Sequence, residues 1–103
     1  MIKVSVMYPN GAGNTFNMDY YLKQHGDLVK RKLGSALKQL QVDGGIAGGA
    51  PNSPPTYLAI GNLYFDSVDA FQKAFGPHAD EILGDLPNFT NTQPTIQISD
   101  VKA

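Results

Sequence analysis

His25 is the side chain in this 103-residue chain best placed to do chemistry. Met18, Leu22, His25, Val29 and Leu33 follow one another at steps of four, three, four and four, which is one apolar stripe of an α-helix. Tyr21 and Leu28 widen the stripe. An imidazole on such a stripe points away from water and must find a hydrogen-bond partner. Two readings follow. Packed against other side chains, it is a satisfied core histidine. Bordering a cavity, with an ordinary pKa of about 6.5, it suits acid–base catalysis. Tyr20, Tyr21, Tyr57 and Tyr64 would give such a cavity an apolar wall with a few hydroxyls, although any one of them also serves as ordinary packing.

Several other chemistries lack their residues. There is no cysteine, so disulfides, thiolate ligands and thiol nucleophiles are excluded. His25 and His78 are the two histidines. No carboxylate stands three or four residues after His25 and there is no His-x-x-x-His pair, so no metal site is expected. Asp80 and Glu81 beside His78 are too generic a pattern to change that. The glycines between Gly44 and Gly49 lack the Gly-Lys-Ser/Thr ending of a phosphate loop. No Gly-x-Ser-x-Gly elbow is present for a serine hydrolase. No motif calls for a cofactor.

Elements must position these residues. Ile2, Val4 and Val6 alternate with Lys3, Ser5 and Met7, a strand pattern over residues 2–8 that Pro9 to Asn14 ends with turn chemistry. Asn17 is a good N-cap for the His25 helix, with Asp19 in its first turn. Gly34 suits the C′ position after the basic turn Lys30-Arg31-Lys32, where cations favour the negative end of the helix dipole. Gly26 inside this helix costs about 1 kcal/mol relative to alanine, and marks a kink or a close approach. A less regular strand is expected over residues 36–43, then a long Gly/Pro-rich loop to Pro55. Thr56 to Phe65 is the strongest strand and is nearly all apolar or aromatic. Asp66 or Ser67 caps a second helix on which Val68, Phe71 and Phe75 form the stripe, and Gly76-Pro77 stops it. A short helix from His78 to about Leu83, a loop over Leu86 to Asn91 and a strand over Thr95 to Ser99 complete the chain.

The order strand, helix, strand, strand, helix, strand predicts an α+β, ferredoxin-like βαββαβ sandwich occupying residues 1–103 as one domain. Helices then cover one sheet face. The third strand carries Tyr57, Leu63 and Phe65 on one parity and Leu58, Ile60 and Tyr64 on the other, so its open side needs a cover. A two-fold homodimer through the open faces supplies one. A formal net charge of −1 argues against nucleic acid as a partner. No apolar run approaches the roughly 18 residues of a membrane span, and the first residues do not resemble a secretion signal, so the expected location is the cytoplasm.

Four stretches carry a family likeness: Ile2-Lys3-Val4-Ser5-Val6-Met7-Tyr8-Pro9; Phe16-Asn17-Met18-Asp19-Tyr20-Tyr21-Leu22-Lys23-Gln24-His25; Leu63-Tyr64-Phe65-Asp66-Ser67; and Asp85-Leu86-Pro87-Asn88-Phe89-Thr90-Asn91. In these, the chain resembles the EthD family, named for a protein linked to ethyl tert-butyl ether degradation, within the dimeric α+β-barrel superfamily. The resemblance implies a ferredoxin-like protomer that dimerises through its sheets. It also implies a pocket between sheet and helices into which His25 looks, with Tyr20, Tyr21, Tyr64 and Phe89 as contacts for a small apolar organic molecule. The activity it suggests is oxidoreductase-associated: cofactor-independent oxidation or isomerisation with His25 as acid and base. The alternative is a non-catalytic binding or accessory protein for a partner oxidase. Haem binding, known elsewhere in the superfamily, would use His25 as an iron ligand.

Overall fold

Alternation along the first strand sorts the whole molecule into two faces. In a computed structural model, which describes residues 1–103, β1 (Ile2–Pro9) buries Ile2, Val4 and Tyr8 on one side and turns Lys3, Ser5 and Met7 to the other. The chain continues through α1 (Met18–Tyr20), a π-helical turn (Tyr21–His25) and α2 (Gly26–Leu33). β2 (Gln39–Gly44) and β3 (Tyr57–Phe65) follow, then α3 (Val68–Phe75), α4 (Ala79–Gly84) and β4 (Thr95–Asp100). The four strands lie in the order β2-β3-β1-β4, and every neighbouring pair is antiparallel. This is the expected α+β, ferredoxin-like βαββαβ arrangement.

Register assigns each side chain to a face. Ile2 pairs with Phe65, Val4 with Leu63, Val6 with Gly61 and Tyr8 with Ala59. Leu40 and Val42 of β2 stand beside Leu63 and Gly61 on that same face, which the helices cover. The open face has three rows. Across β2-β3-β1-β4 they read Gln39-Tyr64-Lys3-Ser99, Gln41-Asn62-Ser5-Gln97 and Asp43-Ile60-Met7-Thr95. The middle row is wholly polar. Its Asn62 amide donates to Asp43 at 2.9 Å. Leu58, Ile60 and Tyr64 are half-buried on this side, as the double-sided pattern of β3 leads one to expect.

The caps form as their residues dictate. Asn17 accepts a hydrogen bond from the Tyr20 N–H at 3.1 Å, and Ser67 accepts one from the Ala70 N–H at 3.0 Å. Gly34 ends α2 with a φ of 57°, which favours glycine.

Three expectations change. The apolar stripe of the first helix shifts register, because the π turn inserts one residue: Gly26 N–H bonds back to the Tyr21 carbonyl. Tyr21, His25, Val29 and Leu33, spaced by four, are buried together with Gly26, and Leu22 is 53 % exposed. The second strand begins at Gln39 and not at residue 36, because Gly34–Ala36 forms a 3-10 turn. The loop after α4 contains a further 3-10 turn at Leu86–Asn88.

The core between sheet and helices is in two parts. One is mainly aliphatic: Ile2, Val4, Val29, Leu33, Phe65 and Ile82. The other is mainly aromatic: Tyr8, Tyr21, Ala59 and Phe89. Val6 packs against both.

Candidate functional site

A cavity of about 310 Å³ borders both parts of this divided core, with Val4, Val29, Leu33 and Ile82 on one side and Tyr8 and Tyr21 on the other. Val6, Leu40, Val42 and Leu63 line it from the sheet, while Leu22, Lys30, Leu83 and Ile96 are exposed residues among its walls.

The aromatic part is assembled by two segments far apart in sequence. The Asn17 N–H donates to the Phe89 carbonyl at 2.7 Å, and the Thr90 hydroxyl donates to the Thr15 carbonyl at 2.7 Å. Asn91 accepts from the Thr15 N–H at 2.8 Å. These bonds bring the segment after α4 against the start of the first helix. Phe89 then lies 4.7 Å from the His25 ring, centre to centre, and Tyr21 stacks at 5.3 Å from His25 with an 18° interplanar angle while lying 5.0 Å from Phe89. The π turn matters here, since it sets Tyr21 and His25 four residues apart on one face.

His25 is 5 % exposed, and its Nδ1 lies 2.9 Å from Asp85 Oδ2. The other Asp85 oxygen, Oδ1, accepts from the Tyr20 hydroxyl at 2.7 Å and from the Asn88 amide at 2.8 Å. Burial pushes the Asp85 carboxyl up, but hydrogen bonds from Asn88, Tyr20 and His25 outweigh it, and the acid is held below its ordinary range. Burial pushes His25 down further than the Asp85 carboxylate raises it, so the imidazole sits below its ordinary value and is neutral at pH 7. An ionised carboxylate can only accept, so Nδ1 carries the proton and Nε2 carries a lone pair. No protein group bonds Nε2, no side-chain nitrogen or oxygen is sealed without a partner, and His25 lines the cavity.

Tyr8 and Tyr21 bring hydroxyls to the same wall. Burial first, then the neighbouring Tyr21, push the Tyr8 phenol far up. Burial likewise raises Tyr21. Both are therefore neutral at any ordinary pH, and the Tyr8 hydroxyl donates to that of Tyr21. The Tyr21 hydroxyl rests where a Cβ of Gly61 would be, so glycine at 61 makes its seat.

Of the residues singled out from sequence, His25 and Tyr21 line the cavity. Phe89 backs the imidazole without lining that space. Tyr20 stands behind Asp85, and its phenol is raised by that hydrogen bond. Tyr64 is on the other side of the sheet, where its hydroxyl bonds Gln41 at 3.3 Å, so the sheet separates it from His25. Tyr57 and His78 are not among the lining residues either. Sequence reasoning missed Tyr8, Asp85 and Asn88. Tyr8 continues the Ile2-Val4-Val6 parity, which was a usable signal. Asp85 and Asn88 fall inside the late stretch that carried the family likeness, but only folding brings Asp85 across 60 positions to His25. No three metal-ligating side chains converge anywhere in the chain. No helix is long and apolar enough to cross a membrane.

The family model for the EthD domain matches residues 13–93. The chain belongs to the EthD family. A crystal structure of an EthD-like protein from Ralstonia eutropha JMP134 is 42% identical, with a TM-score of 0.94 over 99% of this chain and 92% of that one. An EthD family protein from Bacillus halodurans C-125 has the same fold at 16% identity, with a TM-score of 0.67 over 99% of both chains. No curated protein matches the chain. The residues matched in this EthD protein include both segments that build the His25 cluster.

Proposed function

We propose that the cavity receives a small, largely apolar organic molecule and that His25 exchanges a proton with it. One observation carries the reading: the His25 imidazole lines an apolar space with Nδ1 held by Asp85 and no protein partner on Nε2. Asp85 is the positioning residue. It fixes the tautomer and stabilises the imidazolium that forms when Nε2 accepts a proton. Tyr20 and Asn88 hold Asp85 in turn. Such a site supports isomerisation, or the deprotonation that opens a cofactor-independent oxidation.

The test is ligand screening by thermal shift, followed by assay of each binder for turnover. Binding with turnover that is lost in His25→Ala supports the reading. Tight binding without turnover under any redox condition would instead favour a carrier or accessory role for a partner oxidase. A protein that binds no apolar molecule would contradict both.

The protein is further proposed to act as a homodimer joined through its open sheet faces. The half-buried Leu58, Ile60 and Tyr64, with Met7 beside Ile60, support the pairing. Sedimentation should give twice the mass of one chain, and a single-chain mass would refute the pairing.

A further inference from the structure

We infer that the ligand of this cavity is about two rings in size and carries one ketone-type carbonyl, which the Tyr21 hydroxyl, backed by that of Tyr8, holds while His25 Nε2 removes a proton from the adjacent carbon. The inference rests on the proton-transfer reading above and deepens it by naming the substrate class.

Size comes from volume. A cavity of about 150 Å³ holds benzene. This one is about 310 Å³, room for roughly two such rings. Polarity comes from the distribution of groups. The aliphatic side is lined by Val4, Val29, Leu33 and Ile82, none of which can hydrogen-bond through its side chain. Apart from the exposed Lys30, the polar lining groups are His25, Tyr8 and Tyr21. Tyr8 and Tyr21 rings lie 5.6 Å apart, and Tyr21 stacks 5.3 Å from His25. A ligand matching this layout is apolar except at one end.

Chemistry comes from the kind of polar group. The two phenols are held neutral by burial, and with Tyr8 donating to Tyr21 the pair offers the Tyr21 proton to an oxygen. His25 Nε2 offers a lone pair and no proton. A phenol pair and one base lining the same cavity suit a carbonyl oxygen with an acidic C–H beside it. The Nε2 lone pair takes the proton. The C–H electron pair becomes a carbon–carbon double bond, and the carbonyl π pair moves onto oxygen. The Tyr21 phenol, backed by Tyr8, stabilises that enolate oxygen, as a neutral donor in a dry site does. The imidazolium then returns the proton to the same carbon or to a conjugated one, so no oxidant or metal enters the balance. Glycine at 61 belongs to this machinery, because it leaves the Tyr21 hydroxyl its place on the sheet.

The experiment uses 2-tetralone, a two-ring ketone, and naphthalene, its oxygen-free counterpart, as probes of the intact protein in D₂O. Calorimetry measures binding, and proton NMR follows deuterium entry beside the carbonyl. The expected result is tighter binding of 2-tetralone than of naphthalene, with exchange well above the buffer rate. Exchange should fall to the buffer rate in His25→Ala. It should slow about a hundredfold in Tyr21→Phe and in Tyr8→Phe. Retained naphthalene binding shows that these variants remain folded. Gly61→Ala should slow exchange in the same way. Equal affinity for the two probes with no accelerated exchange would overturn the carbonyl assignment and leave the apolar-ligand reading standing. Exchange unchanged in both tyrosine variants would also overturn it. Failure of both probes to bind would overturn this inference and the reading beneath it together.

Discussion

The two sides of the layer between sheet and helices are built from the same kinds of element and behave as different materials. On the aliphatic side, Val4, Val29, Leu33, Phe65 and Ile82 close around one another. On the aromatic side, Tyr8, Tyr21, Phe89 and His25 meet edge to face or stacked, and hydrogen bonds hold them as much as packing does. The first side is positioned by regular periodicity on strands and helices. The second depends on two irregularities, the π turn at Tyr21–His25 and the 3-10 turn at Leu86–Asn88. The polar groups with chemical capacity gather in the irregular side, which is where departures from ideal helix geometry are often found.

Substitutions can break that contrast. Phe65 is 0 % exposed on the aliphatic side, and Phe65→Ala should cost about 3–5 kcal/mol in denaturant unfolding. Gly61→Ala probes the aromatic side. The added methyl displaces the Tyr21 hydroxyl and should cost about 1–3 kcal/mol, with ligand affinity falling by more than the stability loss explains. Val6→Leu extends into the cavity from between the two parts. It should leave stability unchanged or raise it by about 0.5–1 kcal/mol while weakening ligand binding. A large destabilisation there would mean that the space is already filled by side chains.

Proton linkage gives a finer test. The folded-state pKa of His25 lies below its ordinary 6.5, so the unfolded chain takes up the proton first on acidification. Its contribution is fully present above about pH 6.5 and is lost as pH falls toward the folded value. Asp85, also lowered, adds a loss at more acid pH, below its ordinary 3.8. Thermal stability should therefore fall between pH 7 and pH 5, and less so in His25→Gln. In Asp85→Asn, NMR titration should place the His25 pKa lower still, because the carboxylate's hydrogen bond and charge both raise it.

Much of this fold was legible in the residues. The β1 parity, the Asn17 and Ser67 caps and the dense apolar run of β3 each state a local preference that the tertiary structure keeps. The site was legible in part. His25 was visible because an imidazole on an apolar stripe stands out. The π turn was not, since one inserted residue changes which side chains share a face: Leu22 fits the regular stripe on paper and faces outward in the structure. Asp85 was hidden for a different reason. A carboxylate at a helix end has many uses, and only folding, through bonds such as those from Asn17 to Phe89, Thr90 to Thr15 and Thr15 to Asn91, brings its segment to His25. Tyr64 shows the reverse case: its type suited the site, but strand parity placed it across the sheet.

Nitrogen-15 NMR of the imidazoles tests the central claim most directly, and with two histidines in the chain the His25 signals are readily assigned by a His78 variant. At pH 7 His25 should show a protonated Nδ1 and an unprotonated Nε2, and the Nε2 resonance should move when naphthalene is added. A protonated Nε2, or a resonance indifferent to saturating naphthalene while the ligand binds elsewhere, would contradict a cavity in which His25 faces its ligand.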